Sequence, residues 1–167
     1  NKTISKDLKD KTILITGAAG SIGSEIVRQV IQFKPHSIVL VDQGETPLHQ
    51  LTLELETIVT ESNIHSVIAD VRNKEVMRRV FRTYSPQVVY HAAAYKHVPL
   101  MEENPSQAIQ TNVEGTKNVA DLACEFKVKK FVMVSTDKAV NPSNVMGASK
   151  RIAEKYVQSL QLRSVKE

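Results

Sequence analysis

The stretch TILITGAAGSIGSEI, residues 12–26, constrains this chain more than any other. A short apolar run leads into a glycine-rich turn, and the turn leads into a helical pattern. Gly17, Gly20 and Gly23 follow a G-x-x-G-x-x-G spacing. Small residues between a buried strand and a helix let backbone N–H groups approach a pyrophosphate, and the helix N-terminus adds a favourable dipole. A glycine pattern alone is weak evidence. Here it stands in the strand–turn–helix context that the chemistry requires, so Gly17, Gly20, Ser21, Ile22 and Gly23 are the expected phosphate cradle.

Four further apolar runs resemble the first: SIVLV (37–41), HSVIA (65–69), QVVYH (87–91) and KFVMV (130–134). Each is short, rich in Val or Ile, and bounded by turn or charged residues, as buried strands are. Helical patterns lie between them near 21–33, 45–60, 73–83, 105–126 and 145–163. Asn73 and Asn104 stand at N-cap positions, and Pro105 follows Asn104 where a missing N–H costs nothing. Alternating strands and helices predict an α/β fold, a doubly wound Rossmann parallel sheet, with strand order 3-2-1-4-5. Residues 1–10 are polar and are expected as a leader, with 11–167 forming the dinucleotide-binding domain.

Composition narrows the partners. The net charge is +4, but the basic residues are scattered and no basic and aromatic residues interleave, which argues against nucleic acid. The single Cys124 cannot form an internal disulfide, which fits a reducing, cytoplasmic setting, and it is expected as a buried helix residue. His36, His49 and His65 are too far apart to suggest a metal site. No apolar run reaches the roughly 18 residues of a membrane span. The chain starts at Asn1 and ends in a helical pattern, so a piece of a longer protein is expected.

The strand ends carry further candidates. Asp42 closes the second strand, 19 residues after Gly23. A carboxylate there accepts from both ribose hydroxyls of an adenosine and repels a 2′-phosphate, which favours NAD over NADP. Asp70 and Val71 are candidates for flanking an adenine ring. Ala92, Ala93 and Ala94 end the fourth strand and are small enough for a dinucleotide to cross the strand tips, although core packing explains alanines equally well. Lys96 and His97 lie just beyond; His97 reads best as a loop residue. Asn112 either bonds near the site or packs within its helix. The Leu-rich face of LHQLTLELETIV reads as core.

STDKAVNPSNVMGASK, residues 135–150, completes a set that resembles the extended short-chain dehydrogenase/reductase superfamily. That family pairs the glycine loop and the strand-end Asp with a Ser/Thr and a Y-x-x-x-K motif. Together with YHAAAYKHVPLMEENP and NVEGTKNVA, the stretch resembles the bacterial polysaccharide-biosynthesis (CapD-like) UDP-N-acetylglucosamine 4,6-dehydratases. The resemblance covers the chain from about Asp10 onward. It implies NAD, a UDP-sugar substrate and a later substrate-binding part beyond Glu167. It also implies a homo-oligomer through helices near 105–126 and 145–163, and a parent held at the cytoplasmic face of the inner membrane by helices ahead of this chain.

Met146 stands where the superfamily keeps Tyr. The resemblance places this Met-x-x-x-Lys variant in the membrane-anchored branch. Met has no titratable proton, so it cannot serve as a base. Met146 and Lys150 lie one helical turn apart on one face, which makes Met146 an apolar wall and Lys150 the partner of the nicotinamide ribose. A 4,6-dehydration passes hydride from sugar C4 to NAD, eliminates water across C5 and C6, and returns the hydride to C6. The resemblance implies Asp137 as acid at C6 and Lys138 as base at C5; Asp137, with Thr136 or a water, is further expected to handle the C4 hydroxyl proton in place of the missing Tyr. Competing expectations are a C4 epimerase or reductase, which needs no elimination pair, and a dinucleotide-binding module without turnover.

Overall fold

The structure is a computed structural model that describes residues 2–58 and 62–164. The five apolar runs form strands β1 (Thr12–Thr16), β2 (Ser37–Asp42), β3 (Asn63–Ile68), β4 (Val88–His91) and β5 (Lys130–Met133). All pair in parallel in the order β3-β2-β1-β4-β5, as expected. Crossover helices cover both faces, and alternation along β1 divides the core. Ile13 and Ile15 face one cluster and Leu14 the other. Helices α2 (Ser21–Ile31) and α3 (Glu45–Glu56) close the first face with Val27, Leu48, Leu51 and Leu55. Helices α4 (Lys74–Tyr84) and α7 (Thr116–Glu125) close the second with Met77, Phe81, Val119 and Leu122. At about 25 cal/mol per Å² of apolar area, these two layers supply the main favourable contribution to folding.

The structure corrects several expectations. Residues 1–10 are not only a polar leader: α1 (Lys2–Leu8) runs there, Leu8 is buried in the first cluster, and Asp7 pairs with Lys130 at the end of the sheet. Strand β3 begins two residues earlier than its apolar run, because as an edge strand it is set by pairing Asn63 with Ser37 rather than by continuous burial. Asn73 caps α4 by accepting from the Val76 N–H. Asn104 makes no such bond; its side chain donates back to the Leu100 carbonyl. That carbonyl lies in α5 (Val98–Glu103), a short helix outside the expected helical patterns, with His97 at its N-cap and Pro99 in its first turn. Cys124 is exposed on α7, pointing away from the layer that Leu122 and Ala123 fill. Positions 59 and 60, expected at the end of the helical pattern 45–60, lie outside the described residues.

The pattern at 105–126 is also not one helix. It comprises α6 (Pro105–Ala108), a π turn (Ile109–Gly115) and α7. Helix α8 (Val145–Ser164) packs across α5, α6, the π turn and α7. Parallel pairing brings the ends of all five strands to one edge of the sheet, where ligands of open α/β sheets bind.

Candidate functional site

Two lobes form a cleft at that edge. The first, about 250 Å³, is lined by Asp42, Asp70, Val71 and Thr111. The second, about 330 Å³, is lined by Ser21, Ile22, Gly23, Thr136, Lys138, Met146 and Lys150. Gly17, Gly20, Ala92, Ala94 and Tyr95 line both lobes, so the glycine turn and the alanine tip form the floor between them. Ala93 completes the first lobe.

The close approach at this floor explains its small residues. Gly17 has φ +64, and a Cβ there would stand 2.6 Å from Ala93 Cα. Only glycine takes this left-handed conformation and this contact together. Asp42 is held from both sides: Oδ2 accepts from Ala19 N–H at 3.0 Å and Oδ1 from Gly44 N–H at 2.9 Å. Its carboxylate is thereby fixed at the cleft rim with lone pairs to spare. Asp70 accepts from Arg72 N–H at 2.9 Å and from Arg72 Nε at 2.7 Å. The Arg72 guanidinium holds the Asp70 carboxyl below the usual carboxylate range.

Lys150 is 5% exposed, with Nζ donating to the Val134 carbonyl at 2.8 Å. Burial pushes its ammonium down to about 8, opposed by the nearby Glu154 carboxylate. Met146 is buried against Met101 and Ala108. It walls the second lobe as expected, while Lys150 supplies the lobe's buried cation.

The expected elimination pair sits differently. The Lys138 side chain is 51% exposed and lines the second lobe. The Asp137 side chain is 89% exposed, outside that lining, with Oδ1 3.6 Å from Lys138 Nζ. Thr136 Oγ1 donates to Asp137 Oδ1 at 3.0 Å, and this bond, followed by the Lys138 charge, holds the Asp137 carboxyl below its ordinary value. The pair is therefore assembled at the mouth of the cleft, and Asp137 is ionised at neutral pH.

Several site residues escaped the sequence reading. Thr111 is buried, lines the first lobe, and its Oγ1 has no partner. Tyr95 spans both lobes, its backbone N–H and carbonyl both held by the Asn112 side chain. Asn112 thus serves both roles considered for it, being buried in the π turn and bonded beside the cleft. Gly147 seats the short helical turn Asp137–Ala139 on α8, since a Cβ there would stand 2.2 Å from the Lys138 carbonyl oxygen. A glycine inside an amphipathic helix is the signal that could have marked this contact. Lys96 Nζ donates to Ser21 Oγ at 3.4 Å across the second lobe, and His97 is the exposed N-cap of α5. Among the described residues no group of three His, Cys, Asp or Glu is placed to hold a metal ion.

A family model described as "Polysaccharide biosynthesis protein" matches residues 13–167. The chain belongs to this polysaccharide-biosynthesis family. Capsular polysaccharide biosynthesis protein CapD of Staphylococcus aureus is 58% identical over 158 residues, which are 94% of this chain and 26% of that protein. A UDP-N-acetylglucosamine 4,6-dehydratase (inverting) of Campylobacter jejuni is 40% identical over 87% of this chain and 42% of its own length. Among solved structures, Pen from Bacillus thuringiensis superposes with a TM-score of 0.85 at 36% identity, covering 92% of this chain and 47% of that one. The chain thus spans less than half the length of these family relatives. The resemblance drawn from the motifs holds at this level. The fold is also that of a UDP-glucose-4-epimerase from Stenotrophomonas maltophila, with a TM-score of 0.78 at 21% identity over 92% of this chain and 49% of that one. No helix among the described residues is long and apolar enough to cross a membrane.

Proposed function

We propose that this chain is the NAD-binding part of a nucleotide-sugar 4,6-dehydratase acting on UDP-N-acetylglucosamine in polysaccharide biosynthesis. A dinucleotide fits the two-lobed cleft on three observations. The Gly17–Ala93 approach makes a bare backbone floor, Asp42 is fixed at the cleft rim with lone pairs open to donors such as ribose hydroxyls, and Thr111 presents a buried hydroxyl without a partner. In this reading Asp42, Asp70, Val71 and Thr111 hold the adenosine end, Gly17 to Gly23 with Ala92–Ala94 hold the phosphates, and Lys150 binds the nicotinamide ribose. When bound, NAD accepts a hydride from the sugar and gives it back.

The chain's own residues do the rest. The Lys138 amine, at the wall of the second lobe, takes the C5 proton and returns it to C5 when the hydride adds at C6. Asp137 takes the C4 hydroxyl proton as the hydride leaves and gives it to the departing C6 hydroxyl, with Thr136 ordering its carboxylate. Asp137 is ionised in the open cleft, so its acid role requires that substrate cover it. Removing water from a carboxylate raises its pKa. Met146 excludes water beside the ring and exchanges no proton.

The observation that carries the dehydratase over a simple dehydrogenase is the Asp137–Lys138 pair at the mouth of a lobe whose helix offers Met146 instead of a phenol. The relatives named above include a 4,6-dehydratase, which supports the same reading. The test is incubation of the full-length protein with NAD and UDP-N-acetylglucosamine under mass analysis. Loss of one water is expected. A product of unchanged mass with an inverted C4 hydroxyl would identify an epimerase instead. A homo-oligomer belongs to the same proposal: Ile109 and Ile152, large and exposed on the π turn and α8, are the side chains a second copy would cover.

A further inference from the structure

Five fully buried polar side chains, Thr16, His91, Thr116, Asn112 and Ser149, form one chain across the domain. Thr16 immediately precedes Gly17 of the phosphate turn, and Ser149 immediately precedes Lys150. Thr16 Oγ1 lies 2.6 Å from His91 Nδ1, and His91 Nε2 lies 2.9 Å from Thr116 Oγ1. Thr116 Oγ1 donates to the Asn112 carbonyl at 2.7 Å. The Asn112 side-chain amide donates to Ser149 Oγ at 2.9 Å, and Ser149 Oγ donates to the Met146 carbonyl at 2.7 Å.

Proton counting fixes the direction of this chain. A threonine hydroxyl has one proton. Thr116 spends its proton on the Asn112 carbonyl, so it can only accept from His91. Nε2 therefore carries the ring hydrogen, and Nδ1 accepts from Thr16. The other tautomer would draw the Thr116 proton to Nε2 and release the Asn112 carbonyl. That carbonyl lies inside the π turn Ile109–Gly115, a geometry that occurs chiefly as a local feature at functional sites. Burial, with a smaller push from Lys150, lowers the ring to about 3 and keeps it neutral.

We propose that His91 is a positioning residue of the cofactor site: held as its Nε2–H tautomer between Thr16 and Thr116, it fixes the π turn and, through Asn112 and Ser149, sets where Lys150 stands relative to the phosphate turn. His91 touches no ligand in this role. The inference rests on the NAD reading above and assigns the part that aligns its two ends. Thr16 adjoins Gly17, which lines both lobes, whereas Ser149 adjoins Lys150, which lines the second alone, so cutting the relay on the Lys150 side of His91 should be felt at the nicotinamide ribose and not at the adenosine end.

The test uses this chain with two probes. NAD fills both lobes, whereas ADP lacks the nicotinamide and the ribose that Lys150 would hold. Thr116→Val removes the hydroxyl, and Thr116→Ser restores it. Calorimetry should show NAD affinity falling about fivefold or more in Thr116→Val, the lower range of site-to-site coupling. ADP affinity should hold and Thr116→Ser should recover NAD binding. A nitrogen-15 spectrum of the His91 ring, assigned with His91→Gln, should show the hydrogen on Nε2. Equal losses for both probes, no loss for either, or a hydrogen on Nδ1 would overturn the positioning role alone. Absence of binding by both probes to the unsubstituted chain would overturn the dinucleotide reading with it. If Thr116→Val does not fold, Ser149→Ala cuts the same relay at its Lys150 end and is read the same way.

Discussion

Lys150 Nζ donates to the carbonyl of Val134 at 2.8 Å, so a buried ammonium is tethered just past the end of β5. The tether does not offset the cost of burial. The group sits at about 8 against an ordinary 10.5. Below pH 8 both folded and unfolded chains carry the proton, and the fold bears the full penalty of about 3 kcal/mol. Between 8 and 10.5 the unfolded chain binds more protons, so stability rises with pH. Lys150→Met should therefore stabilise the chain at pH 7 by about 1–2 kcal/mol, after subtracting about 1 for the lost bond. The advantage should shrink as pH approaches 10.5. Denaturant midpoints at unchanged slope measure it, and a variant less stable than the original at pH 7 would refute the penalty.

Asp42 leads to a prediction about cofactor choice. Its two oxygens are oriented by Ala19 and Gly44 N–H groups, so the carboxylate does not swing away from an incoming 2′-phosphate. NAD should bind and NADP should not compete with it. Asp42→Asn should weaken NAD about tenfold, the usual scale for losing a charged hydrogen-bond partner, and should narrow the gap to NADP. Competition calorimetry gives both numbers, and equal affinity of the unsubstituted chain for the two cofactors would remove Asp42 from this role.

What could be read in the sequence follows from what is local. The five strands and their order came from runs such as TILIT and SIVLV, where burial on both faces leaves a continuous apolar signature. The glycine turn was legible because its backbone demand falls on one residue type. The π turn was not, since one extra residue between Ile109 and Gly115 leaves a nearly helical period in the sequence. His91 was hidden for a different reason: its partners Thr16 and Thr116 are 75 and 25 residues away. Asp137 and Lys138 were visible as a motif, but their exposure depends on surroundings that no local pattern encodes.

Thr111 separates stability from binding. Its hydroxyl is buried without a partner, which costs the free chain about 1–3 kcal/mol of desolvation. Thr111→Val keeps the shape and removes the unpaired oxygen, so melting temperature should rise or hold. NAD affinity should fall, because the hydroxyl is left for the ligand in the first lobe. Thermal melts and calorimetry on the same preparation decide it. Unchanged NAD affinity with raised stability would make Thr111 a packing defect and nothing more.

Met146 carries the last prediction, which concerns the missing phenol. Its side chain is packed against Met101 and Ala108 and faces the lobe that holds Lys150. Tyr at this position is bulkier, and overpacking a filled site costs about 1–3 kcal/mol. Its hydroxyl would restore a proton carrier one helical turn from Lys150. If Asp137 and Thr136 already serve the C4 hydroxyl, that carrier is redundant. Met146→Tyr in the full-length protein should then keep part of its turnover without exceeding the original. Asp137→Asn should lose water elimination. The double variant should stay inactive, because a phenol at 146 can assist hydride transfer but cannot replace a carboxylic acid at C6. Recovery of elimination in Met146→Tyr/Asp137→Asn would move the acid away from Asp137. Normal turnover by Asp137→Asn alone would dismiss the pair as chemistry and leave it a surface contact.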